Sequence, residues 1–147
     1  MTNQSSFSFK EAIHLILGFY TGSHGFWEED LTEFPEAKLF INKGFCRKDE
    51  KYNDFYVLSN KGEEKLTEYI LGISERFIEY MKTNNFKQSW ADIENWFKDT
   101  FELDNIDDGA NISRYICANL HRYGYISQNG YSKSLGQFCY LKKYIES

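Results

Sequence analysis

Apolar side chains recur at helical spacing in five stretches of the chain. Residues 9–17 form the first, an amphipathic run. Residues 21–25 read as loop, and Pro35 suits the first turn of a helix over 36–43, where a missing N–H costs nothing. From Ser59, an N-cap residue, Leu66, Tyr69, Ile70, Ile73, Phe77, Tyr80 and Met81 trace one stripe, while Glu63, Glu64, Glu68, Glu75 and Glu79 fall mostly elsewhere. Gly72 inside this run leaves one helix or two open, since glycine costs about 1 kcal/mol relative to alanine there. Ser89-Trp90-Ala91-Asp92 reads as a cap followed by an acid near the positive end of the helix dipole. That helix runs to about residue 101 with Trp90, Ile93, Trp96, Phe97 and Phe101 as its core face. A loop over 102–108 then leads to a last helix over 110–123, whose apolar face is Ile112, Tyr115, Ile116, Leu120 and Tyr123.

Two extended pairs follow helices in the same way. A helical run ending at Lys43 stops at Gly44, continues as Phe45-Cys46-Arg47-Lys48, turns through 49–54 and returns as Phe55-Tyr56-Val57-Leu58. A second run ending at Tyr123 stops at Gly124, continues as Tyr125-Ile126-Ser127, turns through 128–137 and returns as Phe138-Cys139-Tyr140-Leu141. The glycines are 80 residues apart and Phe55 and Phe138 are 83 apart, so the second turn is three residues longer. Glycine closes a helix in the left-handed conformation without a Cβ clash, and the aromatic and β-branched segments after it suit strands. Phe86-Lys87-Gln88 adds a strand stub. The expected fold is therefore mainly α with small β-hairpins (α+β), in two tandem units over 1–71 and 72–147 joined by a long central helix.

Composition sharpens this picture in one place. The chain has 147 residues, 27 of them aromatic against one proline, enough bulk for a packed core and little that favours disorder. The net charge of −5 excludes a generally basic nucleic-acid coat. Charge is unevenly spread, however. From Gly109 onward Arg114, Arg122, Lys133, Lys142 and Lys143 face Glu146 alone, a local +4, whereas residues 1–84 carry −4. No apolar run is long enough to cross a bilayer and residues 1–10 are polar without a signal-sequence pattern, so a cytoplasmic protein is expected. Three cysteines without a CxxC pair fit neither a disulfide framework nor a zinc ribbon.

Helices followed by a glycine stop and a strand-loop-strand hairpin resemble the winged-helix variety of helix-turn-helix domain. The stretch from Gly44-Phe45-Cys46-Arg47-Lys48 through Tyr56-Val57-Leu58-Ser59-Asn60-Lys61-Gly62 is similar to the end of many bacterial winged-helix regulators, in which a wing strand reading Tyr-x-Leu-Thr leads to Lys-Gly and another helix. The resemblance implies that the helix before each glycine enters a major groove with the hairpin beside it. In the second copy Asn111, Arg114, Ala118, His121 and Arg122 form the stripe left free by the apolar face, and a small alanine between two arginines permits close approach to a groove. Lys133, Lys142 and Lys143 would add phosphate contacts. The resemblance thus implies a DNA-binding protein, a transcriptional regulator whose partner is double-stranded DNA.

The first copy departs from that pattern. Its helix begins Glu33-Phe34-Pro35-Glu36 behind the acidic Glu28-Glu29-Asp30, and Glu36, Asp49, Glu50 and Asp54 offset Lys38, Lys43, Arg47, Lys48 and Lys51. This half reads as scaffold or partner surface. The competing expectation is a protein-interaction module, with Phe26-Trp27 and Tyr131 as exposed aromatics and a protein partner on the acidic N-terminal half. A homodimer through Phe7, Phe9 and the first helix, or through the central helix, is left open.

Catalytic chemistry lacks its parts. None of His14, His24 and His121 has a second metal-ligand residue at i+3 or i+4 of the HExxH kind, and no phosphate-cradling GxxxxGK[ST], no GxGxxG and no nucleophile-elbow GxSxG occurs. No enzyme activity, cofactor or metal is expected.

Overall fold

The computed structural model describes residues 7–134 and 136–141. The chain divides into two compact units, Met1–Ile70 and Leu71–Ser147. Helices predominate and the strands form two small antiparallel sheets, a mainly-α α+β architecture. The first unit runs α1 (Phe9–Tyr20), β1 (Phe26–Trp27), a 3-10 segment (Glu28–Glu33), α2 (Pro35–Asn42), β2 (Cys46–Lys48) and β3 (Phe55–Leu58). A single helix, α3 (Asn60–Thr83), follows, and then β4 (Lys87–Ser89), α4 (Trp90–Thr100), α5 (Ile106–Arg122), β5 (Ile126–Ser132) and β6 (Gly136–Leu141). Sheet orders are β1-β3-β2 and β4-β6-β5. Each sheet therefore joins a hairpin to one earlier strand, which pairs with the hairpin's second strand. The repeat visible at Gly44 and Gly124 extends to the whole order of elements: helix, strand, two helical segments, hairpin.

Both hairpins leave their helices through the same backbone motif. Gly44 (φ 87°) and Gly124 (φ 82°) are left-handed. The Phe45 amide donates to Phe40 O at 3.3 Å and the Gly44 amide to Ile41 O at 3.0 Å; the Tyr125 amide donates to Leu120 O at 2.9 Å and the Gly124 amide to His121 O at 3.0 Å. This is the paired 6→1 and 5→2 bonding of a Schellman C-cap, which satisfies carbonyls that a helix end would otherwise leave bare. The apolar contact that accompanies such caps is present in the first unit, where the Phe40 and Phe45 rings lie 4.7 Å apart.

Ser59 caps α3, its hydroxyl accepting from the Gly62 amide at 3.2 Å. Gly72 does not interrupt that helix, which is continuous over 24 residues. Leu66, Ile73, Phe77 and Met81 are fully buried along it. In the first unit Ile13, Ile16, Phe40 and Leu66 are fully buried, and the Phe19 and Phe26 rings meet at 5.0 Å. In the second, Phe77 packs on Phe97 at 5.4 Å among Ile93, Ile112 and Ile116, while Trp96 stacks on Tyr80 at 4.6 Å.

Four local expectations are corrected. The helix expected from residue 110 begins at Ile106, because Asn105 caps it by accepting from the Asp108 amide at 2.9 Å. Gly109 lies inside this helix. A Cβ on it would stand 2.7 Å from Glu94 O, so it permits close crossing of α4 and α5. The turn expected over 128–137 is largely strand: β5 continues past a register shift between Ser127 and Gly130, where the Phe138 ring takes the space a side chain would need. Phe26 is buried as part of β1 rather than exposed, because β1 pairs with β3 and turns that ring into the core. Tyr123, assigned to the apolar face, is 68% exposed, since at the C-cap it has left the helical periodicity.

Among the described residues no helix is long and apolar enough to cross a membrane, and no group of His, Cys, Asp and Glu could hold a metal ion.

The glycine geometry sets a stability order. Gly44→Ala meets open space and incurs only the left-handed penalty, about 1 kcal/mol. Gly62→Ala drives a Cβ into Phe45 O, and backbone cannot give way as a side-chain tip can, so a loss of about 2 kcal/mol or more is expected after its small helix-propensity gain. Urea unfolding of the two variants checks the order; a neutral Gly62→Ala would contradict it.

Candidate nucleic-acid interface

α5 is built as two faces. Ile112, Ser113, Ile116, Cys117 and Leu120 are buried along one side, Tyr115 is half-buried, and Asn111, Arg114, Ala118, His121 and Arg122 are all exposed on the other. Arg114 Nη1 donates to Asn111 Oδ1 at 3.1 Å, a neutral partner that orients the guanidinium without neutralising it. Neither Arg114 nor Arg122 pairs with a carboxylate among the described residues. They stand eight positions apart, about 12 Å of helix rise, comparable to the width of a major groove. Ala118 lies between, so the ridge is low in the middle and cationic at both ends.

The hairpin is tied to the end of this helix. His121 Nδ1 lies 3.3 Å from Ile126 O at the start of β5, within donating distance when that nitrogen carries the proton. Lys133 is exposed at the turn between β5 and β6, beside Tyr131, which is 71% exposed. Lys142 and Lys143 lie outside the described residues. One cation escaped the sequence reading: Lys87 on β4 is exposed, with Nζ 5.4 Å from the Phe138 ring centroid. The strand stub containing it was visible, but its pairing with β6, which sets Lys87 opposite Tyr140, was not.

Charge along α5 also follows the helix dipole. Asp107 and Asp108 occupy the first turn and Arg122 the last, each sign at the end that favours it, an effect of about 0.3–1 kcal/mol per charge. Arg114 sits at neither end, so the dipole does not explain it.

The corresponding helix in the first unit differs. Lys38 and Asn42 are exposed on α2 but Lys43 is half-buried, and Glu36 faces His14 with Oε2 3.3 Å from Nδ1. The residues before α2 form a 3-10 segment with Glu28, Glu29 and Asp30 in its first turn. A phosphate backbone would meet carboxylates there.

The cysteines are structural in character. Cys117 and Cys139 are fully buried; the Cys139 side chain hydrogen-bonds Cys117 and, with burial, pushes its thiol well above the ordinary range. Burial pushes half-buried Cys46 up from 9.0 to about 12. Such thiols stay protonated and react slowly. Because the folded Cys46 thiol ionises later than an unfolded one, its contribution to stability is complete below pH 9 and is lost as pH rises from 9 toward 12. We expect the urea midpoint to fall on going from about pH 8.5 to 10.5 and to fall less in Cys46→Ala. Rapid labelling of native Cys46 at pH 8, or a pH slope that Cys46→Ala leaves unchanged, would contradict the assignment.

No family model, no curated protein and no solved structure matches this chain.

Proposed function

We propose that each unit is a winged-helix module and that the second binds double-stranded DNA, with α5 in the major groove and the β5–β6 hairpin alongside, as a transcriptional regulator does. The observation that carries this reading is the exposed Asn111, Arg114, Ala118, His121, Arg122 ridge, whose arginines lack carboxylate partners among the described residues. The order of elements supports it: a strand after the first helix pairs with the last strand, leaving the hairpin to project beside α5. Arginine is the side chain best suited to bidentate contact with guanine, and lysine at a hairpin turn contacts phosphate without sequence preference. The first unit acts as scaffold or partner surface, since its carboxylates would weaken attraction to DNA.

The exposed tyrosines Tyr123, Tyr125 and Tyr131 favour a second reading, a protein-interaction module using the same surface. One titration separates the two. Fluorescence anisotropy on duplexes should show binding at about 50 mM salt that weakens about 40-fold to 500-fold by 200 mM, as three to five phosphate contacts require. Arg122→Ala should weaken it roughly tenfold and lower the salt slope by about one, whereas Lys38→Ala should change it less than twofold. Equal losses would place the interface in the wrong unit. Absence of duplex binding at 50 mM salt, with a stoichiometric protein recovered from the native host, would replace DNA by a protein partner.

A further inference from the structure

The first sheet exposes a cluster of aromatic rings on the side away from its core. Strand alternation sets Trp27 opposite Phe26, whose ring is buried against Phe19 and Phe34. Trp27 stands on the outer face, 4.6 Å from Phe55 and 5.6 Å from Tyr52, which is 47% exposed. Gly25 makes room for this cluster, since a side chain there would strike the Phe55 ring.

Charge determines what such a face accepts. Residues 26–37 hold Glu28, Glu29, Asp30, Glu33 and Glu36 and no lysine or arginine. The Glu28 amide donates to Asp54 O at 2.8 Å, which brings Asp54, also exposed, to the same edge as the 3-10 segment. Lys51 Nζ lies 5.4 Å from the Tyr52 ring centroid, so a cation already rests on one ring of the cluster. Arg47 and Lys48 are exposed on β2 of the same sheet, so it is the acidic edge beside Trp27 that favours an occupant bringing cations with aromatic surface between them.

The second unit supplies that complement. Arg114, Arg122 and Lys133 are exposed, accompanied by Tyr123 and Tyr131 at 68% and 71% exposure. Arginine and tyrosine are among the side chains that most often anchor protein interfaces. We propose that the chain self-associates head to tail, the α5–hairpin ridge of one copy docking on the Trp27–Tyr52–Phe55 face of a second copy. The contact is heterologous, so assembly either closes into a ring or continues as an open chain, and in both cases the mass rises with concentration. A ridge occupied in this way is withheld from other ligands. The inference rests on the exposed ridge and not on DNA binding, and its test contains no nucleic acid.

Sedimentation velocity over about 5 to 500 µM is the test, with the monomer mass of 17.4 kDa as reference. At 50 mM salt the weight-average mass should rise with concentration, and 500 mM salt should return it to the monomer, because screening shortens the reach of exposed charges to a few ångströms. Arg122→Glu alone and the pair Glu29→Lys with Asp30→Lys should each be monomeric, and an equimolar mixture of the two proteins should reassociate. Tyr131→Ser, which leaves every charge in place, should weaken association several-fold. Circular dichroism melts confirm that each surface variant is folded. A wild-type chain that stays monomeric throughout overturns the proposal. So does association indifferent to both charge variants, which would place the interface elsewhere, or a mixture that fails to reassociate. Monomers that bind oligoarginine would assign the face to a different cationic partner and also overturn it.

Discussion

The left-handed glycine after α5 governs what the second unit can present. With Gly124 at φ 82°, the Tyr125 amide turns back to Leu120 O and the chain leaves the helix in one defined direction. That direction starts β5 beside the last turn of α5, where His121 Nδ1 meets Ile126 O. Arg122 and the hairpin therefore belong to one surface by backbone geometry, before any side chain is considered. A residue with a Cβ at this position would meet no neighbour, so the requirement is conformational and not steric.

The same constraint acts at Gly44, yet the outcome there is different. Backbone motif and strand order are shared between the units, and side-chain charge separates what they present. α5 gathers acids at its start and cations toward its end, so the dipole and the outward face agree. α2 is too short for that division. It spans eight residues, its one acidic first-turn residue is engaged by His14, and its last turn holds no basic residue. One scaffold thus carries a cationic ridge in one copy and an acid-edged aromatic face in the other.

Much of this was legible in the sequence because the strongest signals were periodic or local. The stripe along α3, the Ser59 and Ser89 caps, and both glycine stops all act within a few residues of themselves. The exposure of Arg114, Ala118 and Arg122 followed from the burial of Ile112, Ile116 and Leu120 on the opposite side. What escaped depends on distant partners. β1 is two residues long and exists because β3 lies beside it. Nothing local marks Gly109 as the place where α4 crosses α5, and Gly130 reads as turn until Phe138 covers it. Lys87 joined the hairpin's surroundings only through the pairing of β4 with β6.

On the proposed function, the two copies share a scaffold and only the later one engages nucleic acid. An amide NMR titration of the 15N-labelled chain with a short duplex tests it residue by residue. Shifts confined to 111–122 and 131–134, with 26–36 unmoved, are the expected result; shifts concentrated in 26–48, or none in α5, would contradict it.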